Sequence, residues 1–310
     1  MIYRLGIDLG GTAVKAGIVD ENFNIVKNHK VKAHEGLKNV VKDIVKVANE
    51  VAEMVGIRVS DIPCAGIGTP GFTNPETGRL VYSANLNLED VPLAAEIEKE
   101  LGIPVLLGND ANCAVIGETL AGAAKGFQNV VLITLGTGLG GGIIYNGKLF
   151  IGGHGMGAEV GHMPIVTGGE RCTCGIYGCY EAYGSTTALI RQAKEAAGQH
   201  PESSMNKVEL NGRTIFDCAH ACDKTALEVV DQYEEYVAAG LGGLISVFRP
   251  DIALIGGGIS GEGEYLVGPI REKLPKYVFA SQVIGIPAVK TAELGNAAGT
   301  IGAAYLDWMY

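Results

Sequence analysis

Positive charge is scarce in this 310-residue chain: 24 Lys and Arg stand against 34 Asp and Glu, a net charge of −10 at pH 7. A nucleic-acid binder normally presents a basic stripe that neutralises phosphates, so this balance argues against that class of partner. Aromatic residues are sparse, with a single Trp. Long apolar runs are missing too. No stretch of about 18 apolar residues, the length a membrane helix needs, passes without a charge. The most apolar candidate, Val237 to Phe248, is too short and ends at Arg249-Pro250. At the N-terminus Arg4 and Asp8 interrupt any apolar signal-peptide core. The seven cysteines are odd in number and three crowd together, unlike a secreted disulfide framework. A soluble cytoplasmic protein without a membrane partner is the expectation.

What is present suffices for a core. At 47% hydrophobic and 19% charged residues the chain is not disordered. Its length exceeds what one compact core usually needs, so two domains are expected. Glycine is abundant, 46 residues or roughly twice the usual share of about 7%. Without Pro repeats or a Gly-X-Y period, that excess points to tight turns and close backbone approaches, as phosphate-handling α/β proteins need.

Periodicity predicts strands at Tyr3 to Leu9, Val14 to Val19 and Ile25 to Val31, with a turn at Gly10-Gly11-Thr12. Leu37, Val40, Val41, Ile44, Ala48, Val51, Ala52 and Val55 recur at helical spacing, with Lys38, Lys42, Lys46, Asn49 and Glu53 on the other side. A helix over Leu37 to Val55 follows. A strand at Pro63 to Gly68, a helix near Pro92 to Leu101, a strand at Pro104 to Leu107 and a helix from about Ala111 to Ala121 come next. At Asn129 the pattern restarts. An apolar strand (Val130 to Leu135), a glycine turn (Gly136 to Gly142) and a return strand (Ile143 to Tyr145) copy the Tyr3–Val19 layout, which suggests two similar domains. After an irregular Gly- and Cys-rich stretch, Gly152 to Cys179, helices are predicted around Ser185 to Ala197, Thr214 to Cys222 and Lys224 to Phe248. A strand at Asp251 to Ile255 then leads into a helix ending at about Lys276. Gly295 to Trp308 reads as a small-residue helix suited to close packing. With no Pro/Ser linker, the domains should join by helix crossings, with a boundary near Asp110.

Several motifs carry chemistry. In Asp8-Leu9-Gly10-Gly11-Thr12 the glycines would let backbone N–H groups approach an anion, the Thr12 hydroxyl adds a donor, and Asp8 can hold Mg²⁺ through water. The same residues also describe an ordinary Gly-Gly hairpin with an edge aspartate. Leu135 to Gly142 formally contains G-x-G-x-x-G at Gly136, Gly138 and Gly141, but a strand follows where dinucleotide binding requires a helix. Gly256, Gly258 and Gly261 repeat the pattern between strand and helix, with no acidic residue about twenty positions on to take a ribose. Neither G-x-x-x-x-G-K-[ST] nor a protein-kinase catalytic loop occurs.

Cys172-x-Cys174-x₄-Cys179, with His162 upstream, is the sharpest local signal. Three thiolates and one imidazole make a closed tetrahedral zinc site, which would order a loop too poor in apolar residues to order itself. A redox disulfide or incidental buried thiols are the competing readings. Cys64, Cys113, Cys218 and Cys222 read as small core residues, and His29, His34, His154, His200 and His220 as surface or capping residues. Gly108-Asn109-Asp110 closes a strand and opens a helix, so Asp110 is either an N-cap or a ligand contact at the carboxyl end of a strand. Glu159 and Glu181 bracket the zinc loop. Three acids, an amide and a metal-fixed imidazole suit a neutral polyhydroxylated ligand, because carboxylates accept hydrogen bonds from hydroxyls and one can take a proton.

These motifs, with Gly68-Thr69-Pro70-Gly71, Asn109-Asp110-Ala111-Asn112, Gly157 to Met163 and Cys172 to Glu181, occur in the order of the ROK family (repressors, open reading frames, kinases). The chain resembles that family end to end, most of all its bacterial glucokinases. The resemblance implies an α/β, actin-like ATPase fold of two similar ribonuclease-H-like lobes closing over ATP and sugar. The lobes would be residues 1–110 with 297–310, and residues 111–296 with the zinc loop. It further implies ATP-dependent phosphorylation of the 6-hydroxyl of glucose. The alternatives are N-acetylmannosamine, N-acetylglucosamine or fructose as the sugar, or a non-catalytic sugar sensor. Carried over by position, Asp110 becomes the general base, and Gly71, Asn109, Glu159, His162 and Glu181 become sugar contacts. His162, Cys172, Cys174 and Cys179 would hold structural Zn²⁺, with the second His162 ring nitrogen on the sugar. Asp8, Gly10, Gly11 and Thr12, together with Gly136, Thr137, Gly138 and Gly140, would cradle the ATP phosphates with Mg²⁺. Gly256-Gly257 would pass under the adenosine. Ser83 to Leu86 is a further candidate for sugar choice, and a homodimer is the expected assembly.

Overall fold

The computed structural model describes residues 2–309. Its first elements are β1 (Arg4–Leu9), β2 (Ala13–Val19), β3 (Ile25–Lys32), α1 (Leu37–Glu53), β4 (Ala65–Thr69), β5 (Phe72–Asn74), β6 (Arg79–Ser83), β7 (Leu88–Val91), α2 (Leu93–Leu101), β8 (Val105–Asn109) and α3 (Asp110–Ala121). Then come β9 (Val130–Leu135), β10 (Leu139–Tyr145), β11 (Lys148–Leu149), α4 (Glu181–Gly184), α5 (Thr186–Gln199), α6 (Gly212–His220) and α7 (Lys224–Phe248). The last are β12 (Ile252–Gly256), α8 (Glu264–Lys273), α9 (Ser281–Ile284), β13 (Ala288–Thr291), α10 (Ala297–Ala304) and α11 (Leu306–Met309). The chain forms two compact units: Met1–Val130 with Gly142–Ala158 and Glu293–Tyr310, and Val131–Gly141 with Glu159–Ala292. Among the described residues no helix is long and apolar enough to cross a membrane.

The restart at Asn129 has a structural counterpart. Two five-stranded sheets run β3-β2-β1-β4-β8 and β11-β10-β9-β12-β13, so each places its own strands in the order third, second, first, fourth, fifth. In the first sheet β1 to β3 pair antiparallel, whereas β1, β4 and β8 pair parallel. That is what hairpin and helical connections respectively allow.

Several expectations need correction. β10 starts at Leu139, so the glycine turn is shorter than expected and Gly140 to Gly142 lie in a strand. The antiparallel sheet β5-β6-β7 and the edge strand β13 were not anticipated, because strands of three to five residues are too short to show a period. The terminal helix breaks at Tyr305 into α10 and α11. Four of the histidines expected as surface or capping residues each meet a carboxylate. His29 Nε2 lies 3.2 Å from Glu50 Oε2, His34 Nδ1 2.9 Å from Asp43 Oδ2, His200 Nδ1 3.2 Å from Glu202 Oε1, and His220 Nε2 3.1 Å from Glu262 Oε2. The His154 side chain lies outside the described residues. Cys113 and Cys218 are buried, but Cys64 is only half-buried and Cys222 is exposed.

Alternation along β1 separates two faces of the first sheet. Leu5, Ile7 and Leu9 are buried in one core with Val40, Ile44, Val47 and Val51 of α1 and Leu93 and Ile97 of α2. Burial of each such side chain contributes about 1.5–3 kcal/mol. Position 6 and Asp8 face the other way, onto α10. A Cβ on Gly6 would fall 1.9 Å from Thr300 O, one on Gly302 1.7 Å from Cys113 O, and one on Gly117 2.2 Å from Ala298 O. The sequence AAGTIGAA of α10 therefore packs backbone to backbone against α3 and the sheet, the close packing its small residues suggested.

One buried carboxylate secures that packing. Glu118 in α3 is fully buried. Its Oε2 accepts from Ala123 N (2.9 Å) and Glu293 N (3.1 Å), and its Oε1 from Leu294 N (2.8 Å), just ahead of α10. Charge-assisted bonds of this kind are what make a buried carboxylate tolerable. Glu118→Ala leaves three N–H groups without acceptors and is expected to lower the unfolding free energy by about 3 kcal/mol. Urea denaturation should show this as a lower midpoint at an unchanged slope. A wild-type midpoint would remove the clamp from its role.

Candidate active site

In the first unit, the β1–β2 hairpin closes through Gly10 N donating to Ala13 O at 3.0 Å, and leaves Gly11 and Thr12 exposed at its tip. Asp8 is not a lone edge aspartate. Lys15, its register partner on β2, donates through Nζ to Asp8 Oδ2 at 3.0 Å. Only the cross-strand register could have revealed that pair.

β8 ends at Asn109 and α3 begins at Asp110. Here the cap is reassigned: Asn109 Oδ1 accepts from Ala111 N (2.9 Å) and Asn112 N (3.3 Å), so the N-cap is Asn109 and Asp110 is the first helical residue. Asn109 Nδ2 donates to Gly71 O at 3.2 Å. Gly71 has φ 102° and no room for a side chain, since a Cβ would lie 2.1 Å from Tyr82 O. Ser83, also beside Gly71, is buried with its hydroxyl unpartnered. Asp110 keeps an exposed outer face, yet the protein around it strips enough water to raise its carboxyl above the ordinary value. The Ala111 N–H opposes that rise, and the Asp8 charge adds to it. The N-cap role falls to Asn109, while Asp110 Oδ1 accepts a single first-turn bond, from Ala111 N at 2.9 Å.

The second unit assembles the other candidates. The Gly136–Gly138 turn closes through Gly136 N donating to Gly138 O (3.0 Å). The start of α5 seats on it: Thr186 N donates to Gly136 O (2.8 Å) and the Thr187 hydroxyl to Thr137 O (2.7 Å). Neither threonine belongs to a motif that the sequence singles out, although Ser185-Thr186-Thr187 has the composition of a helix cap. Gly257 lies against the backbone of Leu135, where a Cβ would fall 2.4 Å from its carbonyl oxygen. The Gly256-Gly257 turn thus adjoins the base of this hairpin. Glu181, opening α4, joins hairpin to loop. Its Oε2 accepts from Leu139 N (3.0 Å), and its Oε1 from the Thr173 hydroxyl (3.1 Å) and the Cys172 thiol (3.5 Å). Glu159 is exposed immediately before the helical turn Val160–His162.

His162, Cys172, Cys174 and Cys179 come together, with one ligand atom from each within 4.8 Å of all the others. His162 Nδ1 lies 3.7 Å from Cys172 Sγ, and Cys174 Sγ 3.6 Å from Cys179 Sγ. Tetrahedral zinc, with bonds of about 2.3 Å to sulfur and about 2.0 Å to nitrogen, sets S–S near ~3.8 Å and S–N near ~3.6 Å. The spacing fits zinc, and all three cysteines are free rather than disulfide-bonded. Burial, with the neighbouring thiols, pushes Cys179 up to about 12. A dication at the centre would reverse that preference.

The ROK family profile matches residues 4–308. The chain belongs to the ROK family. Among its relatives, the glucokinase of Streptomyces coelicolor is 37% identical over 97% of this chain and 96% of its own. The crystal structure of a ROK family glucokinase from Streptomyces griseus, in complex with glucose and AMPPNP, is 36% identical, covers 98% of both chains and superposes with a TM-score of 0.84. A more distant relative, the N-acetyl-D-glucosamine kinase of Pasteurella multocida, is 29% identical over 98% of each chain. Like other ROK kinases, the chain has the actin-like ATPase fold, with the repeated five-stranded sheet as its signature.

Elemental analysis of purified protein is expected to find about one zinc per chain. Cys172→Ser should lose the metal and melt at a lower temperature, because the loop has little else to order it. Metal-free protein with an unchanged melting temperature would sink the zinc assignment.

Proposed function

We propose that this ROK-family chain is an ATP-dependent sugar kinase that phosphorylates the 6-hydroxyl of glucose, with Asp110 as general base. The observation that carries this reading is the Asp110 carboxyl itself. It stands at the carboxyl end of β8, where Asn109 is the N-cap and Ala111 N donates to Asp110 Oδ1 at 2.9 Å, and it has a raised affinity for protons. A base so tuned takes a hydroxyl proton more readily than an ordinary carboxylate, while the neighbouring Asn109–Gly71 contact offers an amide for sugar hydroxyls. In the second unit the proposed sugar contacts are Glu159, His162 and Glu181. Both Glu181 oxygens already accept protein hydrogen bonds, so a sugar would use their remaining lone pairs. With Nδ1 turned to the thiolates, His162 keeps Nε2 for a hydroxyl.

Phosphoryl transfer depends mostly on positioning and charge neutralisation. The open N–H groups at Gly11 and Thr12 and the turn at Gly136 to Gly138 are the proposed phosphate cradles, with Gly140 alongside and Gly256-Gly257 under the adenosine. Mg²⁺, when bound, neutralises phosphate charge; Asp8 has an oxygen outside the Lys15 pair to hold its waters. Similarity to glucokinases along the whole chain supports glucose as the sugar. The N-acetyl-D-glucosamine kinase relative favours a second reading, a 2-acetamido sugar. We place the enzyme in the cytoplasm, where ATP is available. Phe279 and Val283, 82% and 85% exposed, support self-association as a homodimer.

ADP release measured over a panel of hexoses is expected to be fastest with glucose; turnover confined to N-acetylglucosamine would select the second reading. Asp110→Asn should retain zinc and sugar binding while kcat falls about 10²–10⁴-fold. Because the base acts ionised and its pKa is raised, kcat/KM should fall at acid pH with a midpoint above the ordinary Asp value of about 3.9. Wild-type turnover in Asp110→Asn would remove it from the chemistry.

A further inference from the structure

Beside the first hairpin, within the first unit, a cavity of about 460 Å³ is lined by Lys15, Asn28, Lys30, Asn296 and Thr300. Register explains its charge. Asp8 pairs with Lys15 across β1 and β2, and Lys15 with Lys30 across β2 and β3. The three side chains therefore form one row on the face that carries α10. Like charges directly opposite on neighbouring strands repel. Asp8 offsets Lys15, but Lys30 has no ion-pair partner among the described residues. One carboxylate serves two ammonium groups.

Ala16, Ile25 and Ala297 add apolar wall and His29 is paired with Glu50, but two further polar groups of the lining are unsatisfied. Thr300 is only 5% exposed. Its methyl packs on Gly17, where a Cβ would lie 2.6 Å from Cγ2, and its hydroxyl makes no hydrogen bond among the described residues. Asn296, at the N-cap of α10, makes no capping bond with its side chain, so its amide is free. The positive end of the α10 dipole adds to the same field.

We propose that this cavity binds an oxyanion, a phosphate group, through Lys15, Lys30, Asn296 and Thr300. Two ammonium groups, an amide and a hydroxyl supply donors from several directions, which suits a tetrahedral acceptor better than a planar carboxylate. The volume exceeds what inorganic phosphate fills, leaving room for an organic remainder. The cavity lies wholly within the first unit, and its lining does not depend on which sugar the enzyme takes.

The test is calorimetric titration of the full-length protein with inorganic phosphate at constant ionic strength, comparing wild type with Lys30→Ala and Thr300→Val. Saturable binding is expected in wild type and about tenfold weaker binding in each variant, the size of one charge-assisted hydrogen bond. Circular dichroism melting verifies that both variants fold. Competition then identifies the source of the phosphate group. Displacement by glucose 6-phosphate assigns it to a sugar phosphate, displacement by AMPPNP to a nucleotide, and displacement by neither to free phosphate; each result supports the cavity as an oxyanion site. Equal phosphate affinity in wild type and both folded variants, or no saturable binding in wild type, overturns the proposal.

Discussion

Where α10 crosses α3, there is no space for side chains: at Gly302 even one carbon would strike the carbonyl of Cys113. That contact governs the first unit. Two helices that meet backbone to backbone can slide very little, because any shift of register drives an alanine or threonine into a main-chain atom. The same contact holds α10 against Gly6 and Gly66 on the sheet, so β1, β4, α3 and α10 form one rigid block. Asp110 opens α3 and Asp8 lies one residue before the end of β1; both candidate acids inherit their positions from this block. Glu118 completes it by satisfying three N–H groups that would otherwise end in an apolar interior.

The second unit uses a different device. Its loop from Glu159 to Tyr180 has few apolar side chains and is held by polar and metal-type contacts. Glu181 binds the hairpin at Leu139 and the loop at Thr173 and Cys172, so one carboxylate spans two motifs far apart in sequence. Tyr180, between Cys179 and Glu181, fills the gap that Gly240 leaves in α7, where a Cβ would lie 2.4 Å from its ring, and donates to Val237 O at 2.7 Å. The long apolar helix thereby anchors a loop that cannot bury itself.

Electrostatics differ between the whole chain and its parts. A net charge of −10 disfavours polyanionic partners at long range. Locally, Lys15 and Lys30 set two positive charges side by side over a helix N-terminus. Net charge describes the far field, whereas a small anion meets only the groups within a few ångströms.

Much of this was legible in the sequence, for reasons of range. α1 and α7 have long, strongly periodic faces, and α7 spans Lys224–Phe248 just as its pattern predicted. The β1–β2 layout and its second copy were visible because glycine turns punctuate apolar strands. The Cys172-x-Cys174-x₄-Cys179 spacing, with His162, named four side chains that do converge. All of these signals are local in sequence or carried by residue types with a narrow chemistry. Tertiary structure alone decided that Lys15 neutralises Asp8, that Asn109 and not Asp110 caps α3, that Glu118 receives the start of α10, and that β5 to β7 make a sheet. In each case the partner is a register neighbour, a remote backbone N–H or a strand too short for periodicity, and hydrogen-bond geometry of that kind exists only once the chain has folded.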